Sequence, residues 1–383
     1  MDAQPLYDLA PIARIMLLGV VLALGPLAWV WVRNRHAPPA QRLRVLTLVT
    51  LFLTFDLVLF GAFTRLTDSG LGCPDWPGCY GSVSPVGASS AIAAAQDAMP
   101  TGPVTHGKAW VEMVHRYLAT GVGALITVLA VLSWIASRQR RALLSPWWAT
   151  ATLVWVCLQG AFGALTVTMK LYPAIVTLHL LGGLGLLALL AVQTQWLEPA
   201  RLTLSPGLHA GVLTVAALGI VQIALGGWVS TNYAVLACTD FPTCQGVWWP
   251  PMDFDHGFTL LRELGFGKGG GYLPFEALTA IHVVHRLGAL VVLGALALLA
   301  WRLLVSGNPA SRRSAFGVAG IAVWQLASGL SNVVLGWPIV AAIAHTAGAA
   351  ALVTLMAGLL TQSRRAGEPA AGHASRRPGH PAT

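Results

Sequence analysis

Residues 278–303 have the sequence LTAIHVVHRLGALVVLGALALLAWRL, and residues 109–135 have the sequence AWVEMVHRYLATGVGALITVLAVLSWI. Each stretch is long and apolar enough to cross the hydrocarbon layer of a membrane as one helix, which takes about 20 residues. Each also contains a His-Arg pair close to its start. Ionisable side chains inside a membrane span are costly and usually functional. The two stretches therefore predict a helical membrane protein and indicate where its chemistry lies.

The composition of the whole chain agrees with this class. Charged residues make up 10% of the 383 residues and hydrophobic residues 56%, and the mean hydropathy is +0.68. A soluble domain carries about 25% charged residues, so this chain has too few to cover a water-facing surface. The formal net charge of +9 would suit nucleic acid in a soluble protein, but most of the arginines lie in short loops between apolar runs. We interpret them as determinants of membrane orientation and expect no nucleic-acid partner.

Nine apolar runs are long enough to predict transmembrane helices. The first run lacks the basic start and the small-residue cleavage site of a signal peptide, so we interpret it as a helix. The predicted spans are 12–32, 44–64, 109–135, 147–168, 172–196, 207–230, 278–303, 314–335 and 338–361.

The basic residues predict the orientation of these helices. Most of the 23 Lys and Arg residues fall on one side of the predicted membrane, which is therefore expected to be cytoplasmic. The N-terminus and the two long loops, 65–108 and 231–277, are then outside. The tail, residues 363–383, is rich in Arg, Gly, Pro and Ala and is expected to be disordered and cytoplasmic. In a bacterial cell this predicts a multi-pass protein of the inner membrane, in contact with lipid, with both long loops in the periplasm.

The chain contains an internal repeat with an offset of about 165 to 170 residues. Gly61 lies twelve residues before Cys73, and Gly226 lies twelve residues before Cys238. The two His-Arg pairs are 170 residues apart, and in each half a glutamine precedes a histidine by twenty residues. Since four membrane crossings separate equivalent positions, the repeat predicts two four-helix halves in the same orientation.

The repeat also predicts the domain organisation. The first half covers residues 44–200 and the second half residues 201–362, while residues 1–43 hold a separate helix and a cytoplasmic loop. The predicted fold class is an all-α integral membrane protein. Its eight-helix core consists of two pseudo-symmetric four-helix transmembrane bundles, and one additional transmembrane helix precedes them.

Four histidines occupy repeat-equivalent places inside the predicted spans: His115 and His179 in the first half, and His285 and His345 in the second. All four are expected roughly 10 Å below the outer face, given a rise of about 1.5 Å per helical residue. Two imidazoles at one level on parallel helices can ligate a haem iron from both sides. Zinc would need further ligands at the same point. A hydrogen-bonded core histidine is the alternative for any one position, but four equivalent positions favour ligation.

Charged residues accompany the first histidine of each pair. Arg116 and Arg286 could bind haem propionates, or they could extend to the lipid headgroups. Glu112 lies one helical turn before His115, whereas its equivalent in the second half is His282. A carboxylate beside only one haem predicts acid–base or charge-stabilising chemistry in the first half. The alternative is a structural salt bridge from Glu112 to Arg116.

The outer loops each contain two cysteines six residues apart, in CPDWPGC from Cys73 to Cys79 and CTDFPTC from Cys238 to Cys244. On the oxidising side of a bacterial membrane this spacing suits a disulfide that closes a small loop. The alternative is a thiol–disulfide role in the reaction.

The motifs together resemble those of the haem A synthases. Residues 64–77, TRLTDSGLGCPDWP, closely resemble the first outer loop of that family, and the motif from Glu112 to Arg116, the later His285-Arg286 pair and the single histidines also resemble theirs. The resemblance covers about residues 44–362. It implies an enzyme, an oxidoreductase that converts a methyl group of haem O to the formyl group of haem A with oxygen derived from water, for cytochrome oxidase.

The resemblance also implies roles for single residues. His115 and His179 would hold the substrate haem O, with Glu112 as the catalytic carboxylate, while His285 and His345 would ligate the iron of a resident haem b. His282 is a second candidate ligand on the same helix as His285, but the repeat and the shared arginine favour His285.

Two other functions remain open from the sequence. A non-catalytic dihaem b-type membrane electron carrier would also hold two haems between histidine pairs, and a haem transporter or chaperone would bind haem without modifying it. For the synthase, candidate partners are a haem O synthase and an electron acceptor. The sequence is compatible with a monomer or an oligomer.

Overall fold

The computed structural model describes residues 10–139, 145–197 and 202–365. Over these residues the chain is almost entirely helical. The helices are α1 (Ala10–Arg33), α2 (Pro39–Leu66), α3 (Ser89–Ala98), α4 (His106–Arg138), α5 (Pro146–Thr168), α6 (Pro173–Trp196), α7 (Pro206–Thr231), α8 (Phe254–Gly257), α9 (Phe275–Val305), α10 (Pro309–Val334) and α11 (Ile339–Gln362), with a 3-10 turn at Ala234–Ala237. Two short strands, β1 (Leu202–Leu204) and β2 (Ser363–Arg365), pair in parallel.

Nine helices in the described ranges are long and apolar enough to cross a membrane, which confirms the nine predicted spans and the all-α membrane class. The helices are α1, α2, α4, α5, α6, α7, α9, α10 and α11. Several extend beyond the apolar runs because the sequence provides helix-start signals there. Thr105 caps α4 by accepting a hydrogen bond from the amide of Lys108, and proline occupies the first position of five of the nine helices.

The transmembrane helices form two four-membered rings. In the first, α4 and α6 each pack against both α2 and α5, and in the second, α9 and α11 each pack against both α7 and α10. The rings meet where α6 packs against α11 and α7, and where α11 packs against α2. This is the arrangement expected of two pseudo-symmetric bundles. The predicted division after residue 200 lies outside the described residues and stays a prediction.

Near the ends of the bundles that carry the two long loops, several polar contacts join the two rings. Arg65 donates to the backbone carbonyl of Ser230 at 2.6 Å and lies 4.0 Å from the ring centroid of Tyr233. The Tyr233 hydroxyl donates to Oδ1 of Asp68 at 2.5 Å. Both hydrogen bonds join residues 165 apart, which is the offset of the repeat. Repeat-equivalent positions therefore contact each other near the pseudo-two-fold axis that relates the two bundles.

The additional helix α1 packs on the first ring, mainly against α4. Its contact with α4 is so close that a Cβ at Gly19 would lie 2.7 Å from backbone atoms of Thr120. Ile15 also joins the buried cluster that contains both cysteines of the first outer loop. The additional helix thus lies beside the helix that carries His115.

The tail begins later than the sequence suggested. Residues 363–365, which were assigned to a disordered tail, form β2 and pair with the segment that leads into α7. The parallel pairing satisfies backbone groups at the end of α11 that a free tail would leave to water. The remaining tail residues, from 366 onward, lie outside the described residues.

Candidate functional site

The structure brings the four predicted histidines together in two pairs. His115 on α4 lies near His179 on α6, and His285 on α9 lies near His345 on α11. All four side chains are only half-buried. Each pair therefore joins two opposite helices of one ring and keeps part of each imidazole accessible.

A glycine on a neighbouring helix makes room for each imidazole. At these four positions a Cβ would lie only 3.0–3.6 Å from Cε1 of the histidine ring. The pairs are Gly61 with His115, Gly163 with His179, Gly226 with His285, and Gly329 with His345. All four helices of each ring thus contribute to the site. Gly61 and Gly226 are also markers of the repeat in the sequence, and the offset of 166 residues between Gly163 and Gly329 is the signal that could have predicted the other two.

The second ring also holds its imidazoles by hydrogen bonds. Nδ1 of His285 lies 3.0 Å from the side-chain amide nitrogen of Gln222, and Nδ1 of His345 lies 3.0 Å from Oγ of Ser328. In the first ring, Nδ1 of His115 and Nδ1 of His179 are buried and have no hydrogen-bond partner among the described residues. The two sites therefore have the same arrangement of helices and glycines, but they differ in the polar groups near Nδ1 of the imidazoles.

His282, the rival ligand, has another role in the structure. It is buried, and its Nδ1 lies 3.0 Å from the backbone carbonyl of Ala234 in the 3-10 turn. Its ring thus fixes the start of the second outer loop. This supports His285 as the partner of His345.

Glu112 connects α4 to the first outer loop. Its Oε1 accepts a hydrogen bond from Nη2 of Arg116 at 2.5 Å, and its Oε2 accepts one from the amide of Cys73 at 2.7 Å. The salt bridge considered as the alternative role of Glu112 is therefore present. Each carboxylate oxygen still has acceptor capacity, because an ionised carboxylate offers about four lone-pair sites.

Both arginines bind the disulfide loops. Arg116 donates to the backbone carbonyls of Asp75 at 2.9 Å and Pro77 at 3.2 Å, and also to that of Gly78. Arg286 donates to the carbonyls of Thr243 at 2.8 Å and Cys238 at 3.0 Å. The contact with haem propionates stays a prediction. Within the described structure, Nε of Arg286 is buried without a hydrogen-bond partner and is thus an available donor for a propionate.

The two outer loops are closed by disulfides, as their spacing predicts. Cys73 is bonded to Cys79 and Cys238 to Cys244, and all four side chains are buried.

An aspartate organises each closed loop by accepting two backbone hydrogen bonds. Asp75 accepts from the amides of Tyr80 and Gly81, and Asp240 accepts from those of Gln245 and Gly246. Hydrogen bonds, first from the Thr243 hydroxyl and then from these amides, lower the pKa of Asp240 from its usual value of 3.8.

Comparison with known proteins places the chain in a family. The family described as "Cytochrome oxidase assembly protein" matches residues 44–357. A haem A synthase of Shewanella oneidensis is 37% identical over 312 residues, which are 80% of this chain and 92% of that protein. A haem A synthase of Methylobacterium radiotolerans is 28% identical over 341 residues, which are 83% of this chain and 90% of that protein. The resemblance seen in the motifs is thereby confirmed, and the chain belongs to the cytochrome oxidase assembly protein family together with these haem A synthases.

Proposed function

We propose that this protein is a haem A synthase. It would oxidise a methyl group of haem O to the formyl group of haem A, with oxygen derived from water, and so provide haem A for cytochrome oxidase. The observation that carries the proposal is a pair of equivalent two-histidine sites, only one of which has a carboxylate one helical turn away, at Glu112. Because this oxidation releases electrons and protons, the proposal includes an electron acceptor as a partner.

The residues of the second ring fit a resident haem b. His285 and His345 would hold its iron, since each imidazole is seated against a glycine and His345 is directed by a hydrogen bond from Nδ1 to Ser328. Nε of Arg286, buried without a partner, is a suitable donor for a propionate. When bound, the haem would supply one-electron redox chemistry.

The residues of the first ring suit the substrate. His115 and His179 would hold the iron of haem O, with Arg116 near the outer end of the site. Transfer of electrons from an unactivated methyl group to the acceptor develops positive charge at that carbon, and the addition of water there then releases protons. The Glu112 carboxylate can stabilise that charge or accept a proton at one of its oxygens. Its bonds to Arg116 and to the Cys73 amide would keep the carboxylate in one orientation during this step.

The proposal extends to location and partners. The protein would lie in the inner membrane of a bacterium, with both disulfide loops in the periplasm and the C-terminus in the cytoplasm. The two disulfides support this orientation because such bonds persist in oxidising compartments. A haem O synthase is a suitable partner, since haem O is apolar and its transfer within the membrane avoids water.

The second candidate function is a non-catalytic dihaem electron carrier, which the two similar histidine pairs would also serve. Extraction of the haems from the purified protein, followed by identification by mass, separates the two. Haem B together with haem O or haem A is expected for the synthase. Haem B alone in both sites would favour the carrier and overturn the proposal.

A further inference from the structure

The two histidine pairs differ most in what contacts the nitrogen that faces away from the proposed iron. A ligating imidazole binds metal through one nitrogen, and the hydrogen bond made by the other nitrogen fixes its tautomer and orientation. Nδ1 of His345 has such a contact with Ser328, and Nδ1 of His285 lies near the Gln222 amide nitrogen. Neither first-ring histidine has a hydrogen-bond partner at Nδ1 among the described residues.

The direction of the Ser328 contact follows from its second hydrogen bond. The Ser328 hydroxyl lies 2.7 Å from the backbone carbonyl of Trp324, which can only accept, so the hydroxyl proton is used there. Oγ must then accept from Nδ1 of His345, at 3.0 Å. Nδ1 therefore carries the proton, and Nε2 of His345 keeps its lone pair for a metal.

Gln222 lies beside the other proposed ligand but presents a donor to it. Its amide nitrogen lies 3.0 Å from both Nδ1 and the backbone carbonyl of His285 and can only donate. Nδ1 of His285 would have to accept this bond, so the contact does not keep Nε2 free for a metal as the Ser328 contact does. The side chain fits because residue 288 is glycine, where a Cβ would lie 2.3 Å from Oε1 of Gln222. In the first half the equivalents of Gln222 and Gly288 are Leu57 and Leu118. Both the glutamine and the glycine that makes room for it are therefore replaced by leucine in the first half.

The first ring lacks both polar groups. By the repeat offset of 166 residues, Ser328 corresponds to Phe162, just as Gly329 corresponds to Gly163. Leu57 and Phe162 cannot accept or donate a hydrogen bond through their side chains. This explains why Nδ1 of His115 and of His179 has no partner in the described chain.

We propose, resting on the function proposed above, that Ser328 is a positioning residue that holds the His345 imidazole for permanent haem ligation. Its replacement by Phe162 leaves His179 in the first ring with weaker, exchangeable ligation. A site that must take up substrate and release product benefits from such ligation, whereas a resident redox group must be retained. The hydrogen bond at Nδ1 of His345 thus determines which ring keeps its haem.

The first experiment compares three serine variants of the full-length protein. Ser328→Ala removes the acceptor, Ser328→Thr keeps a hydroxyl, and Ser331→Ala is the matched control, since Ser331 also donates to a carbonyl one turn back on α10 but contacts no histidine. Transfer of haem b to apomyoglobin is expected to be about 10–100-fold faster in Ser328→Ala, the usual effect of losing an outer hydrogen bond to a metal ligand. Its haem b reduction potential is expected to rise, because a less basic imidazole stabilises ferric iron less. Ser328→Thr and Ser331→Ala should resemble the wild type.

The second experiment adds the missing hydroxyl to the first ring. Phe162→Ser and Phe162→Ala remove the same ring and differ by one hydroxyl group. Phe162→Ser is expected to release first-ring haem about tenfold more slowly than Phe162→Ala.

Equal haem transfer rates and equal potentials in Ser328→Ala and Ser331→Ala would overturn the inference, as would a Ser328→Ala variant altered only in thermal stability. Failure of the proposed function itself looks different, because extraction would then yield haem B alone from both sites, whatever the Ser328 variants show. A haem spectrum that His345→Ala leaves unchanged would instead show that His345 is not a ligand and would also overturn this inference.

Discussion

At the scale of single residues, Glu112 joins the first outer loop to the helix that carries His115. Its equivalent, His282, joins the second loop to the corresponding helix with one hydrogen bond to Ala234. An anchor at this position therefore does not require a carboxylate, and anchoring alone does not explain why the first ring has one. The chemical role proposed for the negative charge would account for the difference between the rings.

Glu112→Gln tests this role because it keeps the size of the side chain and removes its charge. The variant is expected to fold, to retain haem b in the second ring, and to accumulate haem O or a partly oxidised product. Loss of general-base help typically slows a reaction by about 10²–10⁴-fold. The measurement is haem extraction with identification by mass.

A loosened loop could imitate that result, so a double substitution, Cys73→Ser with Cys79→Ser, is the control. It weakens the loop and leaves the carboxylate in place. Haem A in the control and none in Glu112→Gln would assign the effect to the charge. Formation of haem A by Glu112→Gln at the wild-type rate would contradict the catalytic role and leave Glu112 as an anchor of the loop.

Substitutions of the second-ring histidines distinguish the proposed ligands, His285 and His345, from the nearby His282. His285→Ala and His345→Ala are each expected to remove the low-spin haem b spectrum, because a site with two imidazole ligands loses an axial bond. His282→Ala should leave that spectrum and lower the thermal stability of the loop, since His282 bonds to Ala234. A haem b spectrum that survives in His285→Ala but disappears in His282→Ala would show that the repeat had been aligned wrongly.

At the scale of elements, the two disulfide loops are built alike. In each loop an arginine from the helix binds backbone carbonyls, and an aspartate accepts two backbone amides. Since these bonds hold each loop independently of its disulfide, we expect the cysteines to stabilise the loop without taking part in the reaction. A Cys238→Ser, Cys244→Ser variant should therefore keep its haem b and melt at a lower temperature. Mass mapping of the wild type without reductant should find both disulfides, and free thiols at all four positions would contradict the pairing.

The second loop should also respond to acid. The hydrogen bonds from Thr243, Gly246 and Gln245 lower the pKa of Asp240 below 3.8, so the folded state favours its ionised form. The resulting stabilisation is present above pH 3.8 and is lost as the pH falls through the lowered value. Asp240→Asn should melt below the wild type at pH 6, and the difference should disappear in stronger acid. A difference that does not change with pH would indicate that the charge is unimportant.

The packing of α1 on α4 gives a prediction with an internal control. Gly19→Leu should displace α1, because a Cβ at Gly19 would lie 2.7 Å from backbone atoms of Thr120. Overpacking of this kind costs about 1–3 kcal/mol. Gly25→Leu is the control, since nothing lies within 4 Å of a Cβ at that position. Limited proteolysis between α1 and α2 should be faster in Gly19→Leu alone, and equal rates in the two variants would contradict the contact.

At the scale of the whole molecule, the nine spans could be predicted because the cost of placing a segment in a membrane depends on the composition of that segment alone. The histidine pairs could be predicted because the repeat made equivalent positions visible. The partners of Arg116 could not, since its contacts join a helix to a loop about 40 residues earlier in the chain. Ser328 was missed for a similar reason. Nothing in the sequence of α10 indicates that the Ser328 hydroxyl forms a hydrogen bond with His345 on α11.

The contacts of Arg65 with Ser230 and of Asp68 with Tyr233 have a consequence for how the two rings can differ. In a dimer of identical subunits, residues meet their own copies only near the two-fold axis. These contacts, between positions 165 residues apart, reproduce that geometry within one polypeptide. The junction therefore has the form of a homodimer interface contained in a single chain. In a homodimer every substitution appears twice, so Glu112 could not face one histidine pair alone. A single polypeptide is free of that constraint, and its two rings can take different tasks.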